Sequence, residues 1–282
     1  MRILVTGASG RIGGYAAREL VACGHDVTSV DVAPGAAPGR RLRVDLTDAG
    51  QVYQALCAAR AEAVVHMGAW ANAGVVPHTR TYGDNVRGTY NLFQACADLG
   101  IRRIVSASSA QVYGFAGAPP VYVPVDEAHP CRPVNCYALS KMAGEQAAAY
   151  FAAQHGLEIL SFRIMGVRRP AEIAAELAQL DAHRERGGSL LWTRTDARDA
   201  ARACRLAAEA ESVASGPYNI TGAQVVVDED AASLVARHFG DATQVREPLS
   251  GRQSPMTCAR AERVFGYAPQ YVWTPTQHHL ED

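Results

Sequence analysis

The segment Thr6-Gly7-Ala8-Ser9-Gly10-Arg11-Ile12-Gly13 constrains this chain more than any other part of it. The apolar, β-branched run 3–6 before it predicts a strand, and residues 12–22 after it space apolar and small side chains as a helix does. A strand that turns on glycine straight into a helix aims free backbone N–H groups, and the positive end of the helix dipole, at whatever lies beyond the turn. That arrangement favours an anion. Each glycine has its own use: Gly7 permits the tight turn, Gly10 lets backbone approach a diphosphate, and Gly13 lets the helix pack closely on the strand. The segment therefore predicts a nucleotide site at the first βα junction, with Gly7, Ser9, Gly10, Arg11, Ile12 and Gly13 around the phosphates.

The same alternation continues along the first half. Residues 25–31, 42–44, 63–67, 103–107 and 157–163 read as strands, and 49–59, 82–99 and 137–155 as helices. Strands alternating with helices imply right-handed crossovers, hence an α/β fold with a doubly wound parallel sheet. Past Arg163 the pattern loosens into helices at 170–186, 199–211, 229–239 and 257–265 with a short strand at 218–221. The expected division is a nucleotide-binding domain over 1–165 and a small C-terminal α/β substrate-binding annex over 166–282, interleaved with the sheet. Residues 114–135 hold five prolines and are too long for a bare connection, which marks a functional loop.

Charge and cysteine content narrow the class. Lys and Arg number 27 against 28 for Asp and Glu, so nothing electrostatic calls for nucleic acid or an anionic membrane. No stretch approaches the roughly 18 apolar residues of a membrane helix. Met1-Arg2 run directly into the first strand, so no leader is expected. The seven cysteines are scattered without C-x-x-C, which predicts reduced thiols in the cytoplasm and no metal site.

Asp31 ends the second strand, 18 residues after Gly13. A carboxylate there accepts hydrogen bonds from ribose hydroxyls and repels a 2′-phosphate, so NAD is expected over NADP. Arg11, Arg40 and Arg41 are the side chains that would argue for the phosphate. Asp45 and Leu46 follow the third strand and suit the adenine edge, with a helix N-cap as the other role for Asp45. Further on, the spacing of four in Tyr137-Ala138-Leu139-Ser140-Lys141 puts the phenol and the amine on one helix face. A free phenol has a pKa of about 10 and is a poor base at neutral pH; a neighbouring ammonium favours its phenolate and equips it for proton transfer.

Additional ordered motifs accompany these: Asn85-Val86-Arg87-Gly88-Thr89, then Ser108-Ser109-Ala110-Gln111-Val112-Tyr113-Gly114, then Pro124, Glu127, Pro130 and Pro133 leading to Tyr137, Ser140 and Lys141. Together with the glycine loop, they resemble the extended short-chain dehydrogenase/reductases, also called the NAD-dependent epimerase/dehydratase family. The resemblance runs from Met1 to about Arg163 and resumes weakly near Asp196. It implies a Rossmann-type sheet, bound NAD, and a catalytic set of Ser109, Tyr137 and Lys141. Ser109 would anchor the reacting oxygen, and Lys141 would also hold the nicotinamide ribose. His66-Met67-Gly68-Ala69 matches the family's H-x-A-A strand end, so Met67, Gly68 and Ala69, with Asn85 and Ala107, are expected along the cofactor. His66 itself reads as a satisfied core histidine. Gln111, Arg163 and Arg168 join Ser109 as expected substrate contacts, and a homodimer through helices 82–99 and 137–155 is implied.

Two departures bear on the substrate. The family's R-x-x-N-V-Y-G-P run is here Arg163-Ile164-Met165-Gly166-Val167-Arg168-Arg169-Pro170, which replaces an asparagine with Gly166. Pro170 and Asp196 stand only 26 positions apart, a shortening that resembles the compact uronate (aldose) dehydrogenases. Arg163, Arg168, Arg169 and Arg194 are candidates to grip a carboxylate or phosphate. The leading expectation is reversible hydride transfer between NAD and a carbinol carbon of a small sugar-like or polyol substrate. A nucleotide-sugar epimerase or dehydratase with retained NAD is the alternative on the same machinery, and a non-catalytic nucleotide sensor or scaffold is the alternative of another class.

Overall fold

The structure, a computed structural model, describes residues 1–179 and 187–273. In chain order its elements are β1 (Arg2–Thr6), α1 (Arg11–Ala22), β2 (Asp26–Asp31), β3 (Arg40–Arg43), α2 (Ala49–Ala59), β4 (Ala63–His66), α3 (His78–Asp98) and β5 (Arg103–Ala107). There follow β6 (Tyr122–Val123), α4 (Cys136–His155), β7 (Glu158–Ile164), β8 (Val167–Arg168), α5 (Pro170–Leu177) and β9 (Thr195–Asp196). The last are α6 (Ala197–Glu209), β10 (Gly216–Ile220), α7 (Ala231–Phe239), β11 (Gln244–Val245) and α8 (Ala259–Phe265). The helix expected over 170–186 is α5 as far as Leu177, and its end at 180–186 lies outside the described residues.

Seven strands form one sheet in the order β10-β7-β5-β4-β1-β2-β3, and the pairs from β7 through β3 are parallel. This is the expected Rossmann-type α/β fold. Strand order reverses at β1, whose neighbours are β2 and β4, so the crevice beyond their carboxyl ends is where such a sheet binds its ligand. All four residues of β4 are buried, as a central strand covered on both faces requires. β3 is an edge strand with exposed arginines, which discourage pairing with another chain.

The chain divides into two compact units. The first holds Met1–Ser108, Asn135–Phe162 and Ala201–Pro217; its core includes Leu4, Val30, Leu56, Val64, Phe93, Ile104, Phe151 and Ile159. The second holds Ser109–Val134, Arg163–Ala200 and the chain from Tyr218 onward, with Ile173, Val226 and Trp273 clustered in it. This interleaving goes further than a boundary near residue 165. The proline-rich loop belongs to the second unit because β6 pairs with β11, Tyr122 beside Gln244 and Val123 beside Val245. Most of α6 returns to the first unit, where Arg103 donates from Nη1 to the carbonyls of Ala207 and Ala210 at its end. Among the described residues, no helix is long and apolar enough to cross a membrane.

Candidate active site

The glycine loop is closed by backbone. Gly7 has φ of 65°, and a Cβ on it would lie 2.7 Å from backbone atoms of Met67 and Gly68. A Cβ on Gly13 would lie 2.2 Å from the Gly7 carbonyl oxygen, so only glycine lets α1 start this close to β1. Gly10 is the N-cap of α1 and brings no side-chain acceptor to the helix start. A helix end with no capping side chain, at a turn with glycine at Gly7 and Gly10, is a fitting seat for a diphosphate. Ser9 and Asp31 fasten it: Ser9 N–H donates to Asp31 Oδ2 at 2.9 Å, Ala33 N–H to Oδ1 at 3.0 Å, and Ser9 Oγ donates to the Ala33 carbonyl. A carboxylate has about four acceptor positions, so Asp31 retains capacity for ribose hydroxyls. Arg40 and Arg41 each use one guanidinium nitrogen on a backbone carbonyl, of Ala58 and Gly35 respectively. Arg11 and Ile12 open α1 beside Gly10, with Arg11 exposed.

Asp45 caps no helix. It forms a turn that accepts from Thr47 N and Oγ1, and Asp48 is the N-cap of α2. Leu46 packs where two glycines make room: a Cβ on Gly68 would meet Leu46 Cδ1 at 2.7 Å, and one on Gly88 would meet Leu46 Cβ at 2.9 Å. Asn91 Nδ2 holds the Leu46 carbonyl from α3. Met67 and Gly68 donate their N–H groups to Thr6 Oγ1, while Ala69 is exposed.

A polar row crosses the sheet below this crevice. In register, Thr6 faces His66, His66 faces Ser106, and Ser106 faces Ser161, all buried. Because Thr6 Oγ1 already accepts two N–H groups, its own hydrogen points to His66 Nδ1 at 2.8 Å, which leaves Nε2–H to donate to Thr89 Oγ1. Burial, and then the charge of Lys141, push the His66 pKa down to about 3, so the ring is neutral at ordinary pH. It is a core histidine with both nitrogens engaged.

Asn85 ties α3 to its surroundings. It is buried, its Oδ1 accepts from Trp70 N–H, and its Nδ2 donates to the Trp70 carbonyl and to Ser140 Oγ. Both amide hydrogens are used inside the protein, so it positions Trp70 and Ser140. The loop so held is also gripped by Asp84, which accepts from Trp70 Nε1.

Asn135 caps α4 by accepting from Ala138 N–H, which starts the helix one turn before the catalytic lysine candidate. Tyr137 and Lys141 are both buried, with the amine 5.7 Å from the phenol ring centre. Lys141 Nζ donates to the Ala107 carbonyl at 2.8 Å. Burial pulls its pKa down to about 8, so at neutral pH it is an ammonium without a full water shell. Ser108 Oγ donates to Glu145 Oε1 at 2.5 Å, a contact that sequence reasoning missed although Glu145 stands four residues after Lys141.

In the second unit, Ser109 Oγ accepts from Gln111 N–H. Arg163, expected to bind substrate, is buried: its Nη1 donates to Tyr113 Oη and to the Glu127 carbonyl, and its guanidinium stacks on the Tyr113 ring. That arrangement braces the unit. Arg168 and Arg194 both donate to Glu176, at 2.5 and 2.7 Å, which leaves one net positive charge in the cluster. Gly166 has φ of 42°, the region that favours glycine or asparagine.

The sequence signature of the NAD dependent epimerase/dehydratase family matches residues 3–221. The chain belongs to that family. Similar family members include a UDP-glucose 4-epimerase of Lactobacillus helveticus, 32% identical over an alignment of 181 residues that covers 59% of this chain and 52% of the epimerase. A uronate dehydrogenase of Pseudomonas syringae pv. tomato is 29% identical over 167 residues, 58% of each chain. The chain thus spans little more than half the length of the curated relatives it matches. A short-chain dehydrogenase/reductase superfamily protein of Agrobacterium tumefaciens, solved with bound NAD, superposes with a TM-score of 0.73 at 24% identity. That superposition covers 96% of this chain and 93% of the other, and shows that the fold is shared.

Proposed function

We propose that this chain is an NAD-dependent oxidoreductase acting on a carbinol carbon of a free aldose or uronate-like sugar. The observation that carries the reading is the buried ammonium of Lys141 on the same helix face as Tyr137, within the unit that holds the glycine loop. Gly7, Ser9, Gly10, Ile12 and Gly13 hold the diphosphate, Asp31 the adenosine ribose, and Asp45 and Leu46 the adenine side. Met67, Gly68, Ala69 and Ala107 line the path to the nicotinamide. Bound NAD supplies the hydride acceptor or donor. Tyr137 takes the hydroxyl proton of the substrate on oxidation and returns it on reduction. Lys141 favours the phenolate electrostatically and grips the nicotinamide ribose. Ser109 takes the oxygen-anchoring role, Gln111 assists it, and Arg168, with the net charge it shares with Arg194 and Glu176, attracts a sugar carboxylate.

Support for a sugar acid or aldose comes from the uronate dehydrogenase likeness and from the shortened stretch between Pro170 and Asp196. The test is a panel of free aldoses, uronates and sugar nucleotides followed by NADH absorbance, with calorimetry of UDP and UDP-glucose on the NAD-loaded protein. Oxidation of a free sugar without nucleotide binding is expected. The UDP-glucose 4-epimerase likeness favours a second reading, in which NAD stays bound and the hydride returns to the same sugar. Micromolar binding of UDP-glucose, with no net NADH, would decide for it. We further propose a cytoplasmic homodimer without nucleic-acid or membrane partners. Tyr82, Tyr90, Leu139 and Tyr150 leave apolar surface exposed on α3 and α4, which a twofold mate would cover.

A further inference from the structure

Two bonds tie α4 to the end of β5. Lys141 Nζ donates to the Ala107 carbonyl, and one helical turn later Glu145 accepts the hydroxyl proton of Ser108. A spacing of four on a helix faces one direction, so two adjacent residues of the strand end are held by one helix face. The Ser108 bond joins a hydroxyl to a carboxyl oxygen at 2.5 Å, the short end of the O–H···O range. The same side chains line a small polar cavity that includes Ser106, Ser108, Ser140, Lys141, Glu145 and Ser161. Its volume is about 10 Å³, the room one water needs.

We propose that Glu145 is a positioning residue: through Ser108 it fixes the end of β5 from which Lys141 receives its carbonyl anchor and Ser109 departs. Without this second bond the Ala107 carbonyl loses its fixed place under the ammonium, and the lysine loses its fixed reach toward Tyr137. Hydrogen bonding carries the role, so an amide at position 145 retains it. The proposal rests on the role of Lys141 given above, and its test separates the two.

Glu145→Ala, Ser108→Ala, the double variant and Glu145→Gln are compared with the unmodified protein. In the cofactor-free protein, mass spectrometry of amine acetylation reads how accessible Lys141 is. Labelling several-fold faster is expected in both alanine variants, no faster again in the double variant, and unchanged in Glu145→Gln. With NAD and the sugar that the substrate panel identifies, kcat should fall tenfold or more in each alanine variant, with no further fall in the double variant and KM for the sugar within twofold. Glu145→Gln should restore most of kcat. Unchanged Lys141 labelling in both alanine variants overturns the proposal, as does a Gln variant as impaired as Ala. A wild-type protein that turns over no sugar removes the oxidoreductase reading instead, and the labelling experiment then still decides the role of Glu145.

Discussion

The buried lysine makes stability depend on pH in a direction opposite to activity. Folded Lys141 releases its proton near pH 8, while an unfolded lysine does so near 10.5. Between those values the unfolded chain carries a proton that the folded chain lacks, so raising the pH stabilises the fold. At ~1.4 kcal/mol per pH unit, the whole interval contributes about 3 kcal/mol, present in full above the unfolded value and absent below the folded one. Replacement by Met removes this dependence and keeps a chain of similar length at the site. Urea unfolding of wild type and Lys141→Met, without cofactor, at steps from pH 7 to 10.5 isolates the effect, because every other titrating group is common to both. The wild type should gain on the variant by about 3 kcal/mol across the range. Turnover should decline over the same interval, since only the ammonium favours the Tyr137 phenolate. A difference in unfolding free energy that stays flat with pH would refute the claim that the ammonium is desolvated.

Tyr137→Phe should lower turnover by roughly 10²–10⁴-fold, the range of general acid/base catalysis, with NADH affinity by fluorescence titration almost unchanged. Asp31→Ala should narrow or reverse the preference for NAD over NADP in the same titration. It should also lower stability by roughly 1.5–3 kcal/mol, because Ser9 and Ala33 lose a charged acceptor. Gly13→Ala should abolish cofactor binding in calorimetry, because its Cβ would lie 2.2 Å from the Gly7 carbonyl and force the loop open. Light scattering at micromolar concentration should report a dimer, and Tyr90→Glu with Tyr150→Glu should shift it to monomer.

Much of the site is local in the chain and was legible there. The glycine turn is eight consecutive residues whose φ values and close approaches dictate glycine. Tyr137 and Lys141 share a face because a helix brings every fourth residue round. Pattern also carried the parallel sheet through β5, since strands alternating with helices have few ways to pack. The N-V-x-G-T motif was visible, but its meaning was not. Only the packed protein shows that Asn85 holds Trp70 and Ser140, that Gly88 clears space for Leu46, and that Thr89 meets His66.

Residues far apart in the chain owe their roles to register and burial, which no window of sequence contains. Arg163 meets Tyr113 and the Glu127 carbonyl, partners 50 and 36 positions away. Glu145 finds Ser108 across 37 positions because α4 packs on the end of β5. The proline-rich loop joins the second unit because β6 finds its partner in β11. The sequence by itself determined the glycine turn, the shared helix face of Tyr137 and Lys141 and the class of fold, all set by backbone geometry over a few residues. Tertiary structure alone decided which polar side chains are held inside and by what, because desolvation obliges each buried donor and acceptor to find a partner, and that partner can come from anywhere in the chain.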